Sequence, residues 1–82
     1  MDQEEIFQII ACHAREVIPE LKAHHFQPSD SLKNLGANSI DRSEIVIMTL
    51  ESLSLSIPLV ETAGAENMGE LASILHEKLC SR

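Results

Sequence analysis

The chain has 82 residues and a formal net charge of −7, from 13 acidic and 6 basic residues. That length holds one small domain, residues 1–82, with a thin core. The charge argues against nucleic acid and anionic membrane surfaces as partners and steers the molecule toward basic ones. Two Phe and no Trp or Tyr leave Ile, Leu, Val, Met and Ala to build the core, which suits helices packed on helices.

A first helix is predicted over residues 3–17. Asp2 and Glu5 form a capping pair, and Ile6, Ile9, Ile10, Ala14 and Val17 recur at the three-and-four spacing of an amphipathic helix. Pro19 ends it, because the residue before a proline disfavours helical dihedrals. A long connection follows, residues 18–38. It carries its own apolar anchors, Leu21, Phe26, Leu32 and Leu35, so it is expected to pack on the helices. A helical turn is predicted at "SLKN", capped by Asp30 and closed by Gly36. The next helix is predicted from Ser39 to about residue 53, with Ile45, Val46, Thr49, Leu50 and Leu53 as its inward stripe; Ile40, Ile47 and Met48 fall outside that stripe. Pro58 in "SLSIP" interrupts the pattern. A short helix is expected over residues 60–65, in a region that Gly64 and Gly69 would let move. The last helix opens with Asn67 as cap and Glu70 three positions on; Met68, Leu71, Ala72, Leu75 and Leu79 form its stripe, and it ends near Cys80.

No stretch is long and apolar enough to span a bilayer, and "MDQEEIFQII" is acidic where a signal peptide is basic. A cytoplasmic location is expected. Cys12 and Cys80 fit neither a metal spacing nor a C-x-x-C motif; two reduced thiols are the expectation, a long-range disulfide the alternative. His13, His24, His25 and His76 are scattered, and the adjacent pair makes a poor metal site. Surface polarity is the reading given to all four.

The chemistry concentrates at "LGANSIDR", residues 35–42. Ser39 follows a glycine turn and has no histidine or lysine nearby in sequence to activate it. It is either the helix cap itself or, if Asn38 caps, a residue of the first helical turn with an outward hydroxyl. In the second position the exposed N–H groups and the helix dipole favour a negatively charged substituent. A carbonyl substrate there would lack both base and oxyanion hole. With no triad or metal constellation elsewhere, the chain is not expected to be an enzyme.

"LGANSID" resembles the attachment motif of acyl carrier proteins, usually written (L)G-x-D-S-L-(D). The likeness runs through the whole chain: the first helix, the long packed loop, the acidic helix "SIDRSEIVIMTLESL", the "IP" after it and the capped final helix. It implies an all-α, antiparallel four-helix bundle with a long packed loop between helices 1 and 2 and a short helix 3. It also implies a monomer whose Ser39 carries a covalent 4′-phosphopantetheine arm, added from coenzyme A by a phosphopantetheinyl transferase. Acyl groups then ride as thioesters on the arm's thiol. Asn38 stands where the family usually has Asp, and Ile40 where it has Leu. The form "GANSIDR.E" is similar to freestanding carriers of bacterial polyketide and antibiotic pathways that install β-branches. That resemblance implies an acyltransferase, a decarboxylating ketosynthase-like enzyme and an HMG-CoA-synthase-like enzyme as partners, with a malonyl load decarboxylated and donated as acetyl.

Asp41, Glu44 and Glu51, set around Ile40, Ile47 and Met48 and beside Asn38 and Ser39, have the make-up of a transient docking patch: an apolar centre with an acidic rim. A solvated helix face with incidental apolar residues is the plainer alternative. Arg42 is either paired with a neighbouring acid or a charge that discriminates between partners. Two further functions remain open: a carrier for fatty acyl, aminoacyl or general polyketide chains, and a non-covalent acidic helical adaptor.

Overall fold

A computed structural model describes residues 2–81. Helix α1 spans Gln3–Val17, as the periodicity predicts. The Asp2 carboxylate accepts the Glu5 N–H at 2.8 Å, satisfying one of the donors that every helix start leaves without a partner. Pro19 forces the stop: Ile18 turns extended and a single 3-10 turn, Pro19–Leu21, follows. Helix α2 is Ser39–Ser52 and helix α3 is Met68–Cys80. Among the described residues there are no strands, and no helix is long and apolar enough to cross a membrane.

The core forms where the three stripes meet. Ile6, Ile10, Ile45, Met68, Leu75 and Thr49 are the largest side chains with almost no exposure. Thr49 is the polar one, and its hydroxyl donates to the Ile45 carbonyl at 2.8 Å, so its own hydrogen-bonding capacity is used in the apolar interior. All five residues predicted for the stripe of α2 are buried; Ile9, Val17 and Leu79 lie at the margin, and Phe7 and Ala11 are added from α1.

The long connection packs as expected, with Leu21, Phe26 and Leu32 buried and Leu35 half-buried. It is also tied down by its backbone. The N–H groups of Met68 and Gly69 donate to the carbonyls of Asp30 and Pro28, both at 2.8 Å. These are the first two donors of α3, which the helix itself has no way to use. The third, of Glu70, goes to Asn67 Oδ1 at 2.8 Å. Helix α3 is therefore capped jointly by its own Asn67 and by a remote loop.

Four expectations need correcting. The turn after residue 30 is capped by Ser31, whose Oγ accepts the Asn34 N–H at 3.4 Å. Asp30 instead reaches back to the Gln27 N–H at 2.9 Å and to His24 Nε2 at 3.0 Å. The short helix expected over 60–65 is a 3-10 turn at Leu59–Thr62. Pro58 and Gly64 leave it too little length, and Thr62 spends its hydroxyl on the Leu59 carbonyl at 2.7 Å. Gly69 is not a point of looseness, since it lies against Pro28. Two histidines are more than surface polarity: His13 Nε2 meets Ser52 Oγ at 2.8 Å across α1 and α2, and His24 packs edge-on to Phe26. Cys12 and Cys80 are free and exposed.

Candidate functional site

The segment before Ser39 is a wound turn that fixes where α2 begins. Leu35, Gly36 and Ala37 donate their N–H groups to the carbonyls of Ser31, Lys33 and Leu32 at 3.0, 3.2 and 2.9 Å. Gly36 has φ +105°, a backbone region that a side chain would strain. Leu32 and Ala37 anchor the turn in the core. Asn38 is then the cap. Its Oδ1 accepts the Asp41 N–H at 2.8 Å, and Asp41 Oδ2 accepts the Asn38 N–H at 3.4 Å, a reciprocal capping box. Asn38 does here what an aspartate would do, by the same acceptor oxygen.

Because Asn38 is the cap, Ser39 is the first helical residue and its side chain is exposed. The N–H groups of Ser39 and Ile40 have no hydrogen-bond partner among the described residues, in contrast to the matching pair in α3. One side chain reaches Ser39: Arg42 donates from Nη2 to Ser39 Oγ at 3.3 Å. A guanidinium is a donor and stays protonated, so it has no means of taking the serine proton. The geometry fits a hydroxyl that an incoming enzyme modifies, and a negatively charged substituent on it would meet free N–H donors, the positive end of the helix dipole and a cation.

Beside Ser39 opens a cleft of about 650 Å³. Ser39, Arg42 and Val46 form its α2 side, Val60 and Ala63 the opposite wall, and Met68 and Leu71 its apolar end toward the core. Lys33 also lines it. Two of the six cations of an acidic chain thus line one cleft, together with a single carboxylate, Glu66.

The remaining residues singled out from the sequence share α2 but not one environment. Asn38, Ile40, Glu44, Ile47 and Glu51 are exposed, while Asp41, Arg42 and Met48 are half-buried. Ile40 is 75% exposed and Ile47 44%, high values for β-branched apolar side chains in a folded chain. Asp41 is committed to the cap. The intrahelical ion pair considered for Arg42 does not form, for no acid lies three or four positions away on the helix and its side chain reaches Ser39 instead. The sequence reading missed Leu59, 37% exposed, and Val60, 76% exposed. Leu59 shares a second surface depression with Ile47 and Glu51. The signal was an apolar pair directly after Pro58 with no stripe to join.

No model of a known protein family matches the chain. It is 49% identical over 81 residues to the polyketide biosynthesis acyl-carrier-protein AcpK of Bacillus subtilis (strain 168), the match covering 99% of both chains. Its fold superposes with a TM-score of 0.91, at 47% identity, on a chain of the crystal structure of the curacin biosynthetic pathway HMG synthase in complex with acetyl donor-ACP; 94% of this chain and 99% of that one are covered. At this identity and over this length, the chain belongs to the acyl carrier proteins, whose members carry a covalent 4′-phosphopantetheine.

Proposed function

We propose that Ser39 Oγ is the attachment point of the 4′-phosphopantetheine arm and that the chain is the acetyl donor of a polyketide β-branching system. The observation that carries the first statement is the exposed hydroxyl on the first turn of α2, with free N–H groups at its foot and a cation as its neighbour. When bound, the arm supplies the thiol on which acyl groups are held; the protein supplies its position and the surface that partners grip. Support for the second statement comes from the two relatives: one is named a carrier of polyketide biosynthesis, the other stands in a complex of an HMG synthase with an acetyl donor carrier.

The same reading makes the chain a cytoplasmic, monomeric carrier that presents its load without transforming it. Its fold then counts as an antiparallel four-helix bundle in which Leu59–Thr62 takes the place of the short third helix. The transferase, acyltransferase, ketosynthase-like and HMG-CoA-synthase-like partners would approach the α2 surface. There, Ile40, Ile47 and Met48 offer apolar contact inside a rim of Glu44 and Glu51, with Asn38, Asp41 and Arg42 at the end nearest the load. The acidic rim speeds encounter with basic clefts and is weakened by salt.

The test is intact mass spectrometry after incubation with coenzyme A and a broad-specificity phosphopantetheinyl transferase. The wild-type chain gains one phosphopantetheine, and Ser39→Ala gains none while keeping its helical circular dichroism. An unmodified wild-type chain overturns the assignment. The donor role is tested with the malonyl-loaded carrier. Decarboxylation by a ketosynthase-like enzyme, followed by acetyl transfer to a β-ketoacyl carrier through an HMG-synthase-like enzyme, supports it. Refusal of malonate counts against it.

A further inference from the structure

We infer that Arg42 is a positioning residue for the arm's phosphodiester: its guanidinium, which already donates to Ser39 Oγ, pairs with the phosphate once that oxygen is esterified and holds the root of the arm over the cleft between α2 and the Leu59–Thr62 turn. This rests on the reading of Ser39 as the attachment point.

Four observations converge on it. Arg42 sits three residues after Ser39, on the same helical face, and the non-bridging oxygens of a phosphate lie two bonds beyond an atom its Nη2 already touches at 3.3 Å. It has no competing anion, since no carboxylate forms an ion pair with it among the described residues. It is half-buried and lines the cleft, so its charge is screened less than that of a fully solvated arginine. Finally, the N–H groups of Ser39 and Ile40 are unengaged, and with the guanidinium they form a donor set of one sign around a single point.

Arginine suits this task better than lysine. Its planar fork contacts two phosphate oxygens at once and fixes direction as well as charge, whereas an ammonium acts as a point charge. In an otherwise acidic chain, a cation at this place does more than offset charge. It gives the first atoms of a long flexible arm a preferred side, toward Val46 and Leu71 in the cleft.

The experiment compares wild-type, R42A and R42K proteins by intact mass and nuclear magnetic resonance. Wild-type protein with isotopically labelled arginine is recorded before and after loading from coenzyme A; pairing predicts that the Arg42 Nε–H and Nη–H signals shift on loading, while Arg15 signals stay in place. In the loaded proteins the ³¹P resonance is displaced in R42A relative to wild type, with R42K between them, and raising the salt concentration moves the wild-type resonance toward that of R42A. If wild-type protein loads fully but its Arg42 signals do not move, the inference is overturned while Ser39 stands. A ³¹P resonance identical in the three loaded proteins overturns it as well. If R42A fails to load, the wild-type Arg42 signals alone decide. Absence of the added mass in wild type removes the attachment site itself, an outcome distinct from the others.

Discussion

Gly69, on the first turn of α3, lies so close to Pro28 that a methyl group at its Cα would stand 3.0 Å from both the Cβ and the carbonyl oxygen of Pro28. Neither neighbour is free to yield. The proline ring is stiff, and its carbonyl is held by the Gly69 N–H itself at 2.8 Å. Crowding of this kind costs about 1–3 kcal/mol, against about 1 kcal/mol gained when Ala replaces Gly within a helix. Gly69→Ala should therefore lower the midpoint of urea unfolding. Gly64→Ala, where nothing lies within 4 Å, should raise stability by about 0.5 kcal/mol through the unfolded chain alone. Equal midpoints for the two variants would contradict the role given to Pro28.

That contrast marks where sequence reasoning stops. Both glycines looked alike in the sequence, and only one has a neighbour, contributed by a loop far away in the chain. The long helices were legible because α1 and α2 repeat apolar residues at the helical period and carry Asp2 and Asn38 in front of them. Leu59–Thr62 was read as a longer helix because its true limit is set by Pro58, Gly64 and a hydroxyl that turns back on its own backbone. Ser39 stood out because its motif is local. Its bond to Arg42 is also local, at a spacing of three, and lies within reach of the sequence. Leu59 and Val60 left one trace in the sequence, an apolar pair after Pro58 with no stripe to join, but the degree of their exposure depends on how the turn seats beside α2.

The Asn38–Asp41 capping box predicts a specific pair of outcomes. Asn38→Ala removes the acceptor for the Asp41 N–H and should cost about 1 kcal/mol, read as a lower urea midpoint with an unchanged slope. Asn38→Asp keeps that acceptor and places a negative charge at the positive end of α2, so it should be as stable as wild type or slightly more so. A large loss in N38D would mean that the amide Nδ2, rather than Oδ1, matters at this position.

Asp30 predicts an acid-side effect. The Gln27 N–H, and then the hydrogen bond from His24, hold its carboxyl below the usual carboxylate range. A carboxylate lowered on folding contributes stability that is present above its unfolded pKa and is lost as pH falls through the folded value. The stability gap between wild type and Asp30→Asn should thus be widest near neutral pH and close as the pH drops below the ordinary carboxylate range. A gap that stays constant in acid would show that the lost hydrogen-bond geometry, rather than charge, carries the difference.

The exposed isoleucines separate docking from folding. Ile40 is largely in water and Ile47 partly so, so Ile40→Ala should change stability by less than about 0.5 kcal/mol and Ile47→Ala by no more than about 1 kcal/mol. If α2 is the surface a transferase grips, each should raise the KM for loading by roughly fivefold, the equivalent of about 1 kcal/mol of lost contact. Loading kinetics at one fixed salt concentration, beside unfolding curves for the same proteins, resolve the two. Unchanged KM in both variants would move the docking surface elsewhere.

Lys78 and Glu61 tie the Leu59–Thr62 turn to the last turns of α3, with Nζ 2.7 Å from Oε1. The contact holds the Lys78 pKa above the usual lysine value, first through the hydrogen bond that Lys78 donates to Glu61 and then through the charge of that carboxylate. A lysine raised on folding contributes stability below its unfolded pKa and loses it as pH climbs through the folded value, so the contact persists throughout the neutral range. Both side chains are partly exposed, and pairs of this kind add little to global stability. Their effect is local, because the turn has one other buried anchor, Thr62, whose hydroxyl bonds within its own turn, while Leu59 and Val60 are exposed. Lys78→Met should leave the urea midpoint almost unchanged while speeding hydrogen exchange at the Ala63 and Ala65 amides, which donate to Val60 and Thr62 within that segment. Since Val60 and Ala63 form one wall of the cleft beside Ser39, the same variant should loosen the cleft without touching α2. Exchange at those two amides as slow as in wild type would mean that the wall is held by packing on Met68 and Leu71 rather than by this ion pair.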